Sequence, residues 1–197
     1  MLWFTADTHF GHANIICYCQ RPFASAQERD AQLVERWNAV VSPGDTVYHL
    51  GDFTLNGWDG FAAYVQRLNG RLCILPGSHD HPWLARFAPG AVSSLTGQPA
   101  EVLPPLVSLE LPELRVGPHA QVLVLCHYAL RVWDRAHYGA WHLYGHSHGT
   151  LPAWGLSLDL GVDCHDFRPI NLDEVATRLN AAHAAMAARE GEMAAGD

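Results

Sequence analysis

A chain of 197 residues with 49% hydrophobic content can bury one substantial core, and no linker-like stretch divides it, so a single domain over residues 1–197 is expected. The net charge of −8 disfavours sequence-independent binding to nucleic acid, because only Lys and Arg release the counterions of a polyanion. No apolar run has the length of a membrane span or the flanks of a signal peptide, so a cytoplasmic protein without membrane contacts is expected.

Leu2 to Ala6 is a short apolar run that reads as a buried strand ending at Asp7. Phe23 to Val41 reads as a helix: Ser25 and Glu28 have capping-box spacing, Leu33, Val34, Trp37 and Val41 share a face, and Ser42-Pro43-Gly44-Asp45 ends the run. Val47 to Leu50 is a strand delivering Gly51-Asp52. A helix over Asp59 to Leu68 stops at Asn69-Gly70, and the strand Arg71 to Leu75 delivers Gly77-Ser78-His79-Asp80. Strands are expected at Leu103–Leu111 and at Ala120–Cys126, the latter ending at His127. A short helix over Ala129–Ala136 follows. Trp141 to Tyr144 runs into Gly145-His146-Ser147-His148, and Leu156 to Val162 alternates as a further strand. Asn171 and Glu174 open a last helix over 171–188, with Leu172, Val175, Leu179 and Met186 on its buried face and 189–197 as a frayed tail. Early βα units followed by a strand-rich half predict an α/β fold: a four-layer α/β/β/α sandwich of two mixed sheets flanked by helices.

Asp or His stands at the end of nearly every strand. Asp7 and His9 are two residues apart, as are His146 and His148, so each pair at an extended strand end can reach one ion. Asp52 alone would more often cap a loop, and His127 alone would more often be a hydrogen-bonded core histidine. The order of the fragments is what makes ligands of them. Oxygen and imidazole donors suit Mn²⁺, Fe²⁺ or Zn²⁺, and two such ions roughly 3.5–4 Å apart clamp a phosphoryl group and activate water. The 13 His outnumber the 12 Lys and Arg combined, consistent with metal or proton chemistry. The five Cys lack the spacing of a disulfide framework or a CxxC pair and read as reduced, mostly buried thiols.

The succession Asp-x-His, Gly-Asp, Gly-x-His-Asp, lone His, Gly-His-x-His resembles the calcineurin-like metallophosphoesterase superfamily over nearly the whole chain, in particular its small stand-alone bacterial and phage phosphoesterases. The resemblance implies two divalent ions, Mn²⁺ first and Fe²⁺, Zn²⁺ or Ni²⁺ as alternatives. Asp7, His9, Asp52 and His148 would hold one ion, and Asp52, Ser78, His127 and His146 the other. His79 would protonate the leaving oxygen. Two departures stand out: the family's Gly-Asn-His is Gly77-Ser78-His79 here, replacing an amide ligand by a hydroxyl, and the carboxylate that orients the catalytic His in many phosphatase members is missing after Gly51-Asp52. Asp80 either takes over that orienting role or caps the helix that follows.

His12 and Arg21 are assigned to substrate contacts, with loop and salt-bridge roles as their alternatives. Arg131 and Arg135 are weaker phosphate ligands, and Trp58, Trp133, Tyr138 and Trp141 weaker stacking partners for a base. The expected activity is metal-dependent hydrolysis of a small phosphorylated substrate, which includes nucleotides, as a phosphodiesterase or broad phosphoesterase. A nuclease acting on nucleic-acid ends, disfavoured by the acidic balance, and a non-catalytic metal-binding scaffold, for which His79 would be superfluous, are the alternatives. Oligomeric state is open.

Overall fold

A computed structural model describes residues 1–116 and 119–195. The chain is an α/β sandwich of two mixed sheets. The first contains β1 (Leu2–Thr5), β2 (Thr46–His49), β3 (Arg71–Ile74), β4 (Glu101–Val102) and β9 (Ile170–Asn171) in the order β4-β3-β2-β1-β9, parallel except for β9 against β1. The second contains β5 (Leu106–Val116), β6 (His119–Cys126), β7 (Trp141–Tyr144) and β8 (Ser157–Asp159) in chain order, with β5 antiparallel to β6 and the rest parallel.

Strand alternation sets the layers. On β1, Trp3 joins a core with Val47, Leu72 and Ile74 beneath α2 (Ala26–Val40) and α3 (Trp58–Val65), where Leu33, Trp37, Phe61 and Val65 are buried. Its neighbour Phe4 points the other way, into a second core shared by the two sheets with Leu50, Leu75, Leu123, Leu125 and Leu143. The ends of α2 and of the last helix, α5 (Leu172–Ala195), are locally encoded. Glu28 N–H donates to Ser25 Oγ while Glu28 accepts from Ala24 N–H. Asn171 and Glu174 exchange the reciprocal pair of bonds. Two short helices, α1 (Ile15–Tyr18) and α4 (His81–Leu84), follow strand-end turns.

Several expectations need correction. No α-helix forms at Ala129–Ala136: Arg135 has φ +56°, the Leu130 N–H is taken by His142 Nε2, and only a 3-10 turn at Ala136–Tyr138 appears. That segment lays Leu130 and Trp133 over Val122, Val124 and Ala140. The strand Leu156–Val162 shrinks to Ser157–Asp159, and β5 runs on past a bulge to Val116. α5 continues through the expected tail to Ala195. Val175 and Leu179 are buried and Leu172 half-buried; the side chain of Met186 and residues 196–197 lie outside the described set. Of the cysteines only Cys73 and Cys126 are buried. Among the described residues no helix is long and apolar enough to cross a membrane.

Candidate metal centre

Every predicted ligand sits just past the carboxyl end of a strand, where open α/β sheets present their ligand sites. Asp7 and His9 follow β1, Asp52 follows β2, Ser78 and His79 follow β3, His127 follows β6, and His146 and His148 follow β7. Both sheets aim these ends at one place because their turns are hydrogen-bonded together. Asp7 N–H donates to Gly51 O at 3.0 Å, His9 N–H to Asp52 O at 3.0 Å, and Gly145 N–H to His127 O at 3.0 Å. Across the sheets, His146 N–H donates to Asp7 Oδ2 at 2.8 Å.

Two groups of donors result among the predicted ligands; a third, Cys19, His148 and Asp163, shares His148 with the first. Asp7, His9 and His148 bring ligand atoms within 4.8 Å of one another, as do Asp52, His127 and His146. Asp52 Oδ2 joins the groups, 3.7 Å from His9 Nε2 and 3.4 Å from His127 Nε2. Asp7, His9, Asp52, His146 and His148 all have φ between +49° and +67°, a left-handed conformation that costs non-glycine residues of order 1–3 kcal/mol each and clusters at functional sites. Glycine makes the close packing of these turns possible: a Cβ on Gly51, itself at φ +92°, would stand 2.6 Å from Gly77 Cα, and one on Gly77 would stand 2.2 Å from Asp52 N.

The donor set fits divalent cations. Asp7 Oδ1, both ring nitrogens of His9 and His127 Nε2 are buried and without hydrogen-bond partners among the described residues. Unmet buried polar atoms cost about 1–3 kcal/mol each, and a bound cation removes that cost. The outward nitrogens are set by second contacts, as in metal sites generally. His127 Nδ1 meets Leu50 O at 2.7 Å, and His148 Nδ1 meets Asp163 Oδ2 at 2.7 Å.

Electrostatics reflect burial set against pairing. Burial raises Asp7 from its ordinary 3.8 to about 7, against the opposing pull of His148 and His127. Burial also lowers His9 to about 2 although the Asp52 carboxylate opposes it. Burial would raise Asp52 as well, but His127, the His79 N–H and His9 outweigh it and hold the carboxyl well below the usual range. His127 and His148 are raised despite burial, by Asp52 and Asp163 respectively.

The other predicted residues divide. His79 is exposed, donates its backbone N–H to Asp52 Oδ1 at 2.8 Å, and has its ring 5.4 Å from that of His9. His12 borders the same rings, 5.7 Å from His9 and 6.5 Å from His79. Ser78 Oγ lies 3.0 and 3.2 Å from the Asp52 oxygens, so its hydroxyl is directed at that carboxylate. Arg21 is not available to substrate: it is 4% exposed, and it donates to both Asp163 oxygens and to the carbonyls of Asp7 and Thr8. Asp80 neither meets the His79 ring nor caps α4 through its side chain. Its oxygens accept from the backbone N–H groups of Asp52, Phe53 and Gly77 and from Trp83 Nε1, which fixes the Asp52 turn. Of the weaker nominees, Arg135 pairs with Glu110, while Trp141 is buried and Trp58 and Trp133 pack against the cores. The exposed aromatics beside the centre are Tyr18, near His12, and Tyr128, near His127 and His146.

Behind these residues lies a buried polar frame that the sequence motifs do not include. Arg29, fully buried, donates to His9 O at 2.9 Å, to His12 O and to Asp30, which also accepts from Gly11 N–H and Tyr64 Oη. Asp159 accepts from Ser147 Oγ, Gly149 N–H and Gly161 N–H, setting the Gly145–His148 turn. A charged pair at 29–30 amid the apolar stripe Leu33-Val34-Trp37 is the readable sign of the first; Asp159 gives none.

Among solved structures, a protein of unknown function from Aquifex aeolicus superposes with a TM-score of 0.63 at 22% identity, covering 90% of this chain and 98% of that one; the likeness establishes the fold. No protein-family model matches the chain. An uncharacterized protein of Methanocaldococcus jannaschii is 42% identical over 81 residues, 40% of this chain, and the match spans about half of that relative, 46% of its length. The gene 66 protein of Mycobacterium phage D29 is 29% identical over 91% of this chain and 96% of its own.

Proposed function

We propose that the chain is a metal-dependent hydrolase of phosphate esters, a phosphoesterase of the calcineurin-like kind. The observation that carries this reading is the pair of donor groups joined through one carboxylate, with buried oxygen and nitrogen atoms that have no hydrogen-bond partner among the described residues. Asp7, His9, Asp52 and His148 would hold one divalent ion, and Asp52, His127 and His146 the second, with Ser78 beside it. Mn²⁺ is the first choice, with Fe²⁺, Zn²⁺ and Ni²⁺ as alternatives. Bound there, the pair would lower the pKa of a water and neutralise phosphoryl charge.

The chain's own residues supply the rest. Hydrolysis forms a bond from the water oxygen to phosphorus and breaks the bond from phosphorus to the alcohol oxygen, which must take a proton. His79, exposed at the rim and beside His9, is the donor in this reading. Asp80 and the His79 N–H fix the Asp52 carboxylate, and Arg21 with Asp163 fixes His148.

Chelation should abolish hydrolysis of 4-nitrophenyl phosphoesters, and Mn²⁺ should restore it. His79→Ala should slow esters of poor alkoxide leaving groups by roughly 10²–10⁴-fold, the range for positioned proton transfer, and activated aryl esters by less. Full activity in chelator would defeat the metal assignment. Equal losses on both ester classes would remove His79 as proton donor.

A further inference from the structure

The turn after His127 and the turn after His148 are tied into one wall. Tyr128 stands with its ring 4.8 Å from that of His127 and 4.9 Å from that of His146. Further along, the Arg131 guanidinium lies 3.7 Å from the centre of the Trp154 ring, and Trp154 Nε1 donates to Arg131 O at 3.1 Å. A groove of about 270 Å³ runs beside this pair, lined by Ala129, Arg131, Tyr144, Leu151 and Trp154. In its lining Leu151 and Trp154 are 50% and 48% exposed, and Tyr128, next to Ala129 in the chain, is 48% exposed. Apolar surface left open in one patch, rimmed by polar groups, marks a binding surface. Of its lining residues, Ala129 lies two positions after His127 and Tyr144 two positions before His146, so the groove adjoins both donor turns, which points to the substrate as the occupant.

The position of the wall relative to His79 says which part of the substrate. His79 and His12 border the His9 side of the centre, whereas Tyr128 borders His127 and His146. The leaving alcohol belongs where the proton donor is. An occupant of the opposite side is therefore a group that stays on phosphorus, which a monoester does not have. Charge agrees: the sequence contains no lysine, and Arg21 and Arg29, the arginines in the frame of the centre, are buried and spent on carbonyls and carboxylates. Apart from His79, whose proton goes to the leaving oxygen in the reading above, the frame offers no unpaired side-chain cation among the described residues for the second charge of a monoester, while a diester carries one charge only.

Building on the phosphoesterase reading above, we infer that the Tyr128–Trp154 wall binds the retained substituent of a phosphodiester, and that this substituent is a large planar group. Stacking on Trp154 and Tyr128 and contact with the Arg131 guanidinium supply the recognition.

Three esters with one leaving group test this: 4-nitrophenyl phosphate, methyl 4-nitrophenyl phosphate and phenyl 4-nitrophenyl phosphate, each with the Mn²⁺-loaded protein. The phenyl ester should show a KM about 10-fold below that of the methyl ester, the scale of one aromatic stack. In Trp154→Ala and in Arg131→Ala the ratio of the two KM values should fall toward one. Diphenyl phosphate, titrated by equilibrium dialysis, should bind less tightly to both variants by a similar factor. Equal KM values for the two diesters in the unmodified protein, a ratio unmoved by both substitutions, or a lower KM for the monoester than for either diester would overturn the inference and leave a phosphoesterase. Hydrolysis of none of the three would instead overturn the phosphoesterase reading, and the diphenyl phosphate titration would still decide whether the wall binds a planar ester group.

Discussion

The two donor groups share Asp52 but are built differently. Around Asp7, His9 and His148 the support is charged and buried: Arg21 and Asp163 back His148 and the Asp7 carbonyl, and Arg29 with Asp30 backs the His9 carbonyl. Around His127 and His146 the support is lighter. His127 leans on the Leu50 carbonyl, Ser78 reaches only the shared carboxylate, and the exposed ring of His146 has no hydrogen-bond partner among the described residues. A ligand held from behind loses little freedom when it binds an ion, and mutation of such backing groups in metal sites costs 10–100-fold in affinity or activity. On the proposed metal reading the first group is the preorganised one, while the second opens toward the wall proposed for substrate.

Arg21→Ala would break this asymmetry most severely. Removing one partner of a buried ion pair costs about 3–5 kcal/mol, because the carboxylate left behind is uncompensated. Urea unfolding should show that loss, and calorimetric titration should show weaker binding at the first group, with the second little changed. A variant as stable as the parent would mean that Arg21 does not hold the frame.

Asp7 gives a pH test of the same group. Its folded pKa of about 7 lies above the ordinary 3.8, so its contribution to stability is intact below about pH 4 and is lost as pH rises through 7. At about 1.4 kcal/mol for each tenfold change in the proton equilibrium, the metal-free protein gives up about 4 kcal/mol above pH 7. Asp7→Asn should therefore stabilise chelator-treated protein at pH 8 by roughly that amount and much less at pH 5. With Mn²⁺ present the order should reverse, because the carboxylate is then a ligand. A gain that is the same at both pH values would show that burial of this charge is not its origin.

Ser78→Asn sharpens the comparison from the weaker side, with the smallest effect. A hydroxyl is a poorer donor than an amide oxygen on a longer stem, and here it is turned to Asp52. The amide should tighten the second site and raise activity at limiting metal, with less effect at saturation. Equal affinities at the two sites, with no response to Ser78→Asn, would show that serine is no deficit.

What could be read from the sequence was local or paired. The caps at Ser25/Glu28 and Asn171/Glu174 lie within three residues, and Asp7/His9 and His146/His148 announce themselves by spacing. The partners within the frame behind them cannot be read, because Arg21 meets Asp163 across 142 positions and Asp80 meets Asp52 across 28. An arginine near a metal motif has two uses, substrate contact and salt bridge, and only burial distinguishes them at Arg21. The segment after His127 departs from its helical pattern for a similar reason. Its apolar residues fit a helix, but Leu130 N–H bonds to His142 and Trp133 Nε1 to Ala140 O, contacts that pull the backbone elsewhere.

The central claim is that one carboxylate holds two ions. Counting bound Mn²⁺ after dialysis, in the unmodified protein and in Asp52→Ala, tests it most directly. The account predicts two ions per chain in the first and loss of both in the second, with hydrolysis down by about 10³-fold or more, the several kcal/mol that paired ions contribute. An Asp52→Ala protein that keeps two ions and full activity would contradict it.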